Sequence, residues 1–133
     1  MRAALACLIL APHLAQPLAA RTLMSAEEFD RFSLGKTLDY ATDGQVWGSE
    51  AYFEGRRVRD ADVGGPCLDG SWFPQGDAIC FVYPAREGLH CWHFWREGNR
   101  LLAQYLSAAP DEPPQEVTEA TSPLACPGPD VGV

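Results

Sequence analysis

The residues with the greatest chemical capacity stand together at His90-Cys91-Trp92-His93, two imidazoles around a thiol and an indole. Such a group suggests a metal centre. In an extended strand, however, side chains three positions apart leave on opposite faces, so His90 and His93 cannot converge on one ion. With Cys91 oxidised, as argued below, no local set meets a four-coordinate demand, and neither a metal nor another cofactor is expected. A hydrolytic arrangement could be drawn from Ser71, His90 or His93, and Asp69 or Asp77. Nothing in their spacing supports it: there is no G-x-S-x-G elbow, no H-E-x-x-H helix and no phosphate-binding loop. C-x-x-C is also absent, which disfavours a thiol enzyme, and no catalytic residue is assigned.

Two surface groups are candidates for binding. Arg56, Arg57 and Arg59 form the one basic cluster of an acidic chain. Guanidinium forks suit a carboxylate, a phosphate or an acidic partner, and the competing reading is exposed ion pairing with Asp60, Asp62 or cross-strand acids. The second group is aromatic. Phe81, Tyr83, Trp92 and Phe94, with His90 beside them, project from one side of a central hairpin, while Val82 and Leu89 lie on the other. Core packing under a covering element explains most of these rings; left uncovered, Tyr83, His90, Trp92 and Phe94 would line a groove.

The elements that must position these residues begin after residue 20. Arg2, the apolar run Ala3 to Leu14 and the small-residue exit Leu18-Ala19-Ala20 read as a secretory signal cleaved after Ala20. Its apolar run falls short of the roughly 20 residues that span a bilayer, and no stable membrane insertion is expected. Cleavage removes Arg2 and one of the five cysteines, Cys7, and leaves nine basic against eighteen acidic residues. That balance argues against nucleic acid and anionic membranes as partners. Cys67, Cys80, Cys91 and Cys126 remain, an even number in a small exported domain, which reads as a disulfide framework.

Ser25-Ala26-Glu27-Glu28 is a capping box that opens a short helix bearing Phe29 and Phe32 on one face and ending at Gly35. Beyond it the helical period gives way to short runs rich in Val, Ile, Tyr, Phe, Trp and Thr between turn signals. Asp43-Gly44 predicts a tight hairpin between Thr37–Thr42 and Gln45–Gly48, and Glu54-Gly55, Gln75-Gly76 and Gly98-Asn99 predict further turns. The three glycines recur at a near-constant interval with paired aromatics before them, as a repeated hairpin would give and as any even meander would also give. Residues 110–133, rich in proline and acids, are expected to form an irregular arm tied back by Cys126.

Folding Ile79–Tyr83 onto Leu89–Phe94 about Ala85-Arg86 sets Cys80 opposite Cys91, Phe81 opposite His90, Ile79 opposite Trp92 and Val82 opposite Leu89. Opposed strand positions satisfy disulfide geometry, so Cys80–Cys91 is the preferred pair and Cys67–Cys126 follows by elimination. Gly70-Ser71-Trp72, Gly76-Asp77-Ala78-Ile79-Cys80-Phe81 and Cys91-Trp92 resemble a group of uncharacterised small exported proteins of Gram-negative bacteria with a G-x-W, G-x-x-[IL]-C-x-x-[YW], C-[WY] pattern. The resemblance implies an exported location, periplasmic or secreted, and the Cys80–Cys91 hairpin.

The fold expected is mainly β: a short N-terminal helix packed on an antiparallel meander of about six to eight strands, over residues 21–109, curled into an open barrel or strongly bent sheet. The leading function is a non-catalytic exported binding module for a protein or small ligand, an envelope-enzyme inhibitor being one version. A small periplasmic hydrolase or lyase using His90 or His93, and a structural envelope protein without a ligand, are the alternatives.

Overall fold

The structure is a computed structural model describing residues 21–126; the signal-sequence expectation and the last residues of the arm lie outside the described range. Helix α1 (Ala26–Ser33) is followed by strands β1 (Thr37–Thr42), β2 (Gln45–Phe53), β3 (Arg57–Asp62), β4 (Leu68–Gln75), β5 (Ala78–Tyr83), β6 (Arg86–Glu97), β7 (Arg100–Tyr105) and β8 (Gln115–Glu119). Each strand pairs with its neighbours in sequence, and β8 returns to β1, so the antiparallel meander is a closed barrel.

Closure comes from the segment expected to be an irregular arm. Within it, Val117 stands opposite Tyr40 on one side and Leu101 on the other. The prolines flank this strand rather than enter it, as the missing N–H of proline requires in a strand bonded on both edges. Past β8 the chain crosses the outer surface and is tied down by Cys67–Cys126, with Cα atoms 5.5 Å apart.

Local chemistry accounts for the ends of the elements. The Ser25 hydroxyl accepts from the Glu28 amide and the Glu28 carboxylate accepts from the Ser25 amide, completing the capping box. Asp43 and Gly44 both take positive φ, the condition for the two-residue turn joining Thr42 to Gln45. Gly55, Gly76 and Gly98 all lie in turns at the same end of the barrel, because one up-and-down pair of strands separates each from the next.

Period-two alternation fills the interior. Leu38 and Tyr40, Tyr52, Val58, Trp72, Ile79 and Phe81, Phe94, Leu101, Ala103 and Val117 point inward from seven strands and β8. The helix closes one end. Phe29 is 0% exposed, with the rings of Phe94, Trp72 and Tyr52 at 4.5, 5.2 and 5.5 Å between centroids. The helix therefore does not lie on a sheet face but plugs the barrel. Its approach is guided by Leu23, bridged to Trp95, and by the Met24 amide, which donates to the Phe94 carbonyl; both use the part of β6 that extends past its pairing with β5.

Because Phe29 fills a site that the strands cannot fill themselves, Phe29→Ala is expected to cost about 3–5 kcal/mol. Urea unfolding of the disulfide-intact protein checks this, with Phe32→Ala, at a partly buried position, expected to cost clearly less.

Candidate functional site

At the end opposite the helix the interior changes character. Three aromatic residues and a carboxyl group, which reach inward by the same alternation as the core, meet in a hydrogen-bonded network. Tyr52 Oη donates to Glu50 Oε2 at 2.6 Å, and Tyr83 Oη donates to Glu50 Oε1 at 2.7 Å. Tyr40 and Tyr52 hydroxyls stand 2.5 Å apart; since the Tyr52 proton is committed to Glu50, Tyr40 is the donor of that pair. Glu50 is buried, and burial pushes its carboxyl up to about 8, against the opposing pull of the Tyr52 and Tyr83 hydrogen bonds. Burial, with Glu50 alongside, also raises all three phenols.

Tyr83 reaches Glu50 because of a glycine in the neighbouring strand. A Cβ on Gly70 would stand 2.5 Å from both the Tyr83 ring and the Val82 carbonyl oxygen, so only a bare backbone lets that ring lie flat over β4.

Toward the rim, the network opens into a cavity of about 60 Å³ lined by Tyr40, Trp47, Glu50, Asp60, Phe81, Tyr83, Arg86, His90, Trp92 and Phe94. Asp60 faces inward and is 8% exposed. Burial raises its carboxyl and Arg86 opposes the rise. Arg86 Nη1 lies 2.9 Å from Asp60 Oδ2, but that oxygen receives no aligned hydrogen bond; Nη2 lies 3.5 Å from Asp62 Oδ2, and the guanidinium sits 5.1 Å from the Tyr83 ring centroid. The His90 ring lies between Tyr83 and Tyr105, and its Nε2 is 3.2 Å from the Glu87 carbonyl.

Two interruptions in the ladder put residues at this rim. Tyr40 pairs with Gly48 and Ala41 with Val46, leaving Trp47 as an extra residue that leans toward Tyr40, 5.9 Å between ring centroids. In the next irregularity Phe81 pairs with His90 but Tyr83 pairs with Arg86, so Glu87–Leu89 stand against the single residue Val82. Bulges at barrel rims re-aim side chains, and here they deliver Trp47 and Arg86 to the cavity.

The residues singled out from sequence distribute as follows. Cys80 and Cys91 are joined, Cα atoms 4.0 Å apart, and Cys67 is joined to Cys126. The opposed pairs Ile79–Trp92, Cys80–Cys91 and Phe81–His90 have the expected register, whereas Val82 is not opposite Leu89 because the bulge intervenes. Tyr83, His90 and Trp92 line the mouth cavity, and Phe94 also contacts Phe29 at the plugged end. The arginine cluster is dispersed rather than convergent. Arg56 lies over Trp72 and near Asp30 at the helix end, while Arg57 reaches the Glu54 carbonyl and Arg59 pairs with Asp69 on the outer wall.

His93 leaves β6 on the face opposite His90 and lines an outer groove with Trp95 and Gln104. Ser71 and Asp69 lie on the outer wall and Asp77 in the β4–β5 turn. Among the described residues no hydrogen bond joins a histidine to a carboxylate, and no set of three or more His, Cys, Asp or Glu is arranged to hold a metal ion. A larger groove of about 480 Å³ runs beside α1, lined by Thr22–Met24, Glu28, Arg31, Phe32 and Arg96. It is an open trough whose Glu28 is engaged in the helix cap and whose Arg96 rests on Phe32.

Sequence reasoning passed over Glu50, Asp60, Tyr40, Tyr52 and Arg86. The signal available was the alternation Gly48, Glu50, Tyr52, an acid in step with inward positions, which is informative only once β2 is known to run on to Phe53.

The network makes stability depend on pH. The folded Glu50 keeps its proton up to about 8 whereas an ordinary carboxyl releases it near 4.5; between those values the folded state holds more protons, so stability falls as pH rises. The expected loss from pH 5 to pH 8 is on the order of a few kcal/mol. Glu50→Gln is expected to flatten that slope and to be the more stable protein at pH 8, measured by denaturant unfolding at both values. Gly70→Ala is expected to cost about 1–3 kcal/mol by displacing Tyr83, with a loss of the near-ultraviolet tyrosine signal. No family model, curated protein or solved structure matches the chain, so the case for this site rests on its own geometry.

Proposed function

We propose that the protein is an exported, non-catalytic binding module that recognises its target at the open mouth of the barrel. The observation carrying this reading is the pair of bulges that turn Trp47 and Arg86 onto a cavity already holding Glu50, Asp60 and His90. A barrel that served only as a scaffold would gain more from filling this end with apolar side chains, as it does around Phe29, because buried ionisable groups seldom stabilise a fold. The aromatic and ionisable residues are collected where solvent can be replaced by a ligand, with Trp47 still 37% exposed at the rim.

The cavity size favours a narrow target. Whole small molecules occupy sites of roughly 300–1,000 Å³, and about 60 Å³ is enough for a terminal group. The target is therefore a chain or surface that offers one projecting group to the mouth. That geometry fits a protein partner, including an envelope enzyme held inactive by the contact, as well as a small ligand with a narrow head. A hydrolase or lyase would need an acid within hydrogen-bond reach of a histidine, and His90 is instead directed at the Glu87 carbonyl.

An exported location is part of the same reading. Two disulfides fit an oxidising compartment, and the proposal adds that residues 1–20 are the secretory signal, that the protein works in the periplasm or outside the cell, and that it belongs with the small exported proteins its G-x-W and cysteine pattern resembles.

A photo-crosslinking residue at position 47, compared with the same residue at position 53 on the outer wall, where Phe53 is 41% exposed, tests the proposal. In a native envelope extract, discrete adducts are expected from position 47 and not from position 53. Identical adduct patterns from both positions, or none from position 47, would refute recognition at the mouth.

A further inference from the structure

We propose that the mouth cavity binds a terminal ammonium group on an unbranched chain, and that Arg86 is an internal cation that occupies the edge of this site until such a group displaces it. The inference rests on the reading of the mouth as the recognition surface and specifies its ligand.

The lining selects charge. Glu50 and Asp60 face the cavity and Asp62 stands at its edge, while Tyr40, Trp47, Tyr83 and Trp92 supply aromatic faces. Carboxylates and ring faces together recognise cations, and they do so more strongly where water is excluded. Glu50 holds its proton at neutral pH, so the negative charge here is that of Asp60, with Asp62 at the edge, and an anion that met it would be disfavoured. A neutral group without a donor would leave the buried Asp60 Oδ2 atom without the aligned hydrogen bond it lacks, and a neutral donor would leave the carboxylate's charge unmatched.

The chain itself shows that the lining accepts a cation. Arg86 stands 2.9 Å from Asp60 Oδ2 and 5.1 Å from the Tyr83 ring centroid, the two kinds of contact that a cationic guest would make. Its grip is loose. The side chain is one-third exposed, its second contact, to Asp62, is 3.5 Å long, and it projects from the end of β6, where the strand is interrupted by Glu87–Leu89. Arg86 reaches Asp60 from the rim and leaves the space above Glu50 open.

Size and donor count then choose between cationic heads. A planar guanidinium needs room for a fork, whereas an ammonium is compact and carries three donors. About 60 Å³ suits the compact head. Three acceptors are within the lining: Asp60 Oδ2, a Glu50 oxygen beyond its bond to tyrosine, and the Tyr83 hydroxyl. The attached methylene chain would leave past Trp47 and Trp92 at the rim.

The test is an NMR titration of the disulfide-intact protein with n-butylammonium chloride, n-butanol and sodium butyrate at constant ionic strength. Nα-acetyl-lysine-N-methylamide is added as the protein-side-chain form of the same head group. Saturable shifts at Trp47, His90 and Trp92 are expected from butylammonium, roughly tenfold tighter than from butanol, and none from butyrate. Equal or tighter binding of the lysine derivative assigns the head group to a protein partner, and binding of butylammonium alone assigns it to a free amine; either supports the site. Arg86→Gln is expected to tighten butylammonium binding several-fold by removing the competitor, and Asp60→Asn to abolish it, each variant showing native spectral dispersion.

Butanol binding at the mouth as tightly as butylammonium would overturn the ammonium assignment and leave the mouth as a recognition surface. No saturable shift from any compound would overturn the assignment and count against the mouth as well. Unchanged or weaker butylammonium binding in Arg86→Gln would overturn the displacement of Arg86. The comparison among compounds on the unaltered protein needs no variant to fold.

Discussion

The pairing of β8 with both β1 and β7 is the constraint on which the rest of the structure depends. Five residues, Gln115–Glu119, convert a curled sheet with two open edges into a cylinder with none. Once the sheet is closed, every strand has one face turned to a finite interior, and whatever lies there must fit a fixed volume. The strands cannot fill the volume by themselves. At one end Phe29 is inserted from the helix among Tyr52, Trp72, Phe81 and Phe94, and at the other the space is shared between aromatic rings and two carboxyls. The protein thus has a dry, plugged end and a polar, open end by the logic of closure.

The cost of the polar end is visible in how Glu50 is accommodated. A buried carboxylate without donors would be strongly disfavoured, and two phenols, Tyr52 and Tyr83, supply them to this one while Tyr40 donates to Tyr52. Even so burial dominates, and the group holds its proton to about 8. In that form the carboxyl carries a hydrogen of its own beside the hydroxyls of Tyr52 and Tyr83. The carboxyl is thus a titratable group held at the inner end of the mouth. That is a capacity an apolar plug would not have, and it ties the electrostatics of the mouth to whatever enters it.

How much of this could be read from sequence follows the range of the interactions involved. The capping box at Ser25 and Glu28, the Asp43-Gly44 turn and the glycine turns depend on neighbours within a few residues, and each was legible. So were the alternating faces of β5 and β6 and the Cys80–Cys91 pairing, because a short hairpin fixes its partners locally, and Cys67–Cys126 followed by elimination. Closure was not, since β8 finds β1 across most of the chain and lies in a stretch whose prolines suggested no strand at all. The bulges at Trp47 and opposite Val82 were hidden for another reason. Alternation assigns faces only while the count stays even across a ladder, and a sequence does not mark where a residue is left out of the count. Glu50, Asp60 and Arg86 depend on those long-range facts, whereas His90, Tyr83 and Trp92 were singled out from sequence because they sit on the locally determined hairpin.

The Cys80–Cys91 bond has a role here beyond crosslinking. A slip of β5 by one residue against β6 would turn Phe81 and Tyr83 to the outer wall and bring Cys80 and Val82 inside, parting them from His90 and Trp92. The covalent link stands one pair away from the point where Phe81 meets His90, directly before the ladder becomes irregular. It therefore holds the regular part of the hairpin in step while Glu87–Leu89 absorb the extra residues. Because those extra residues shift the pairing by an even number, Tyr83 still faces inward and Arg86 arrives opposite it, within reach of Asp60. A short disulfide loop that contributes modestly to stability in the chain-entropy account thus sets which side chains reach the mouth, and oxidation of this one pair is what gives the site its geometry.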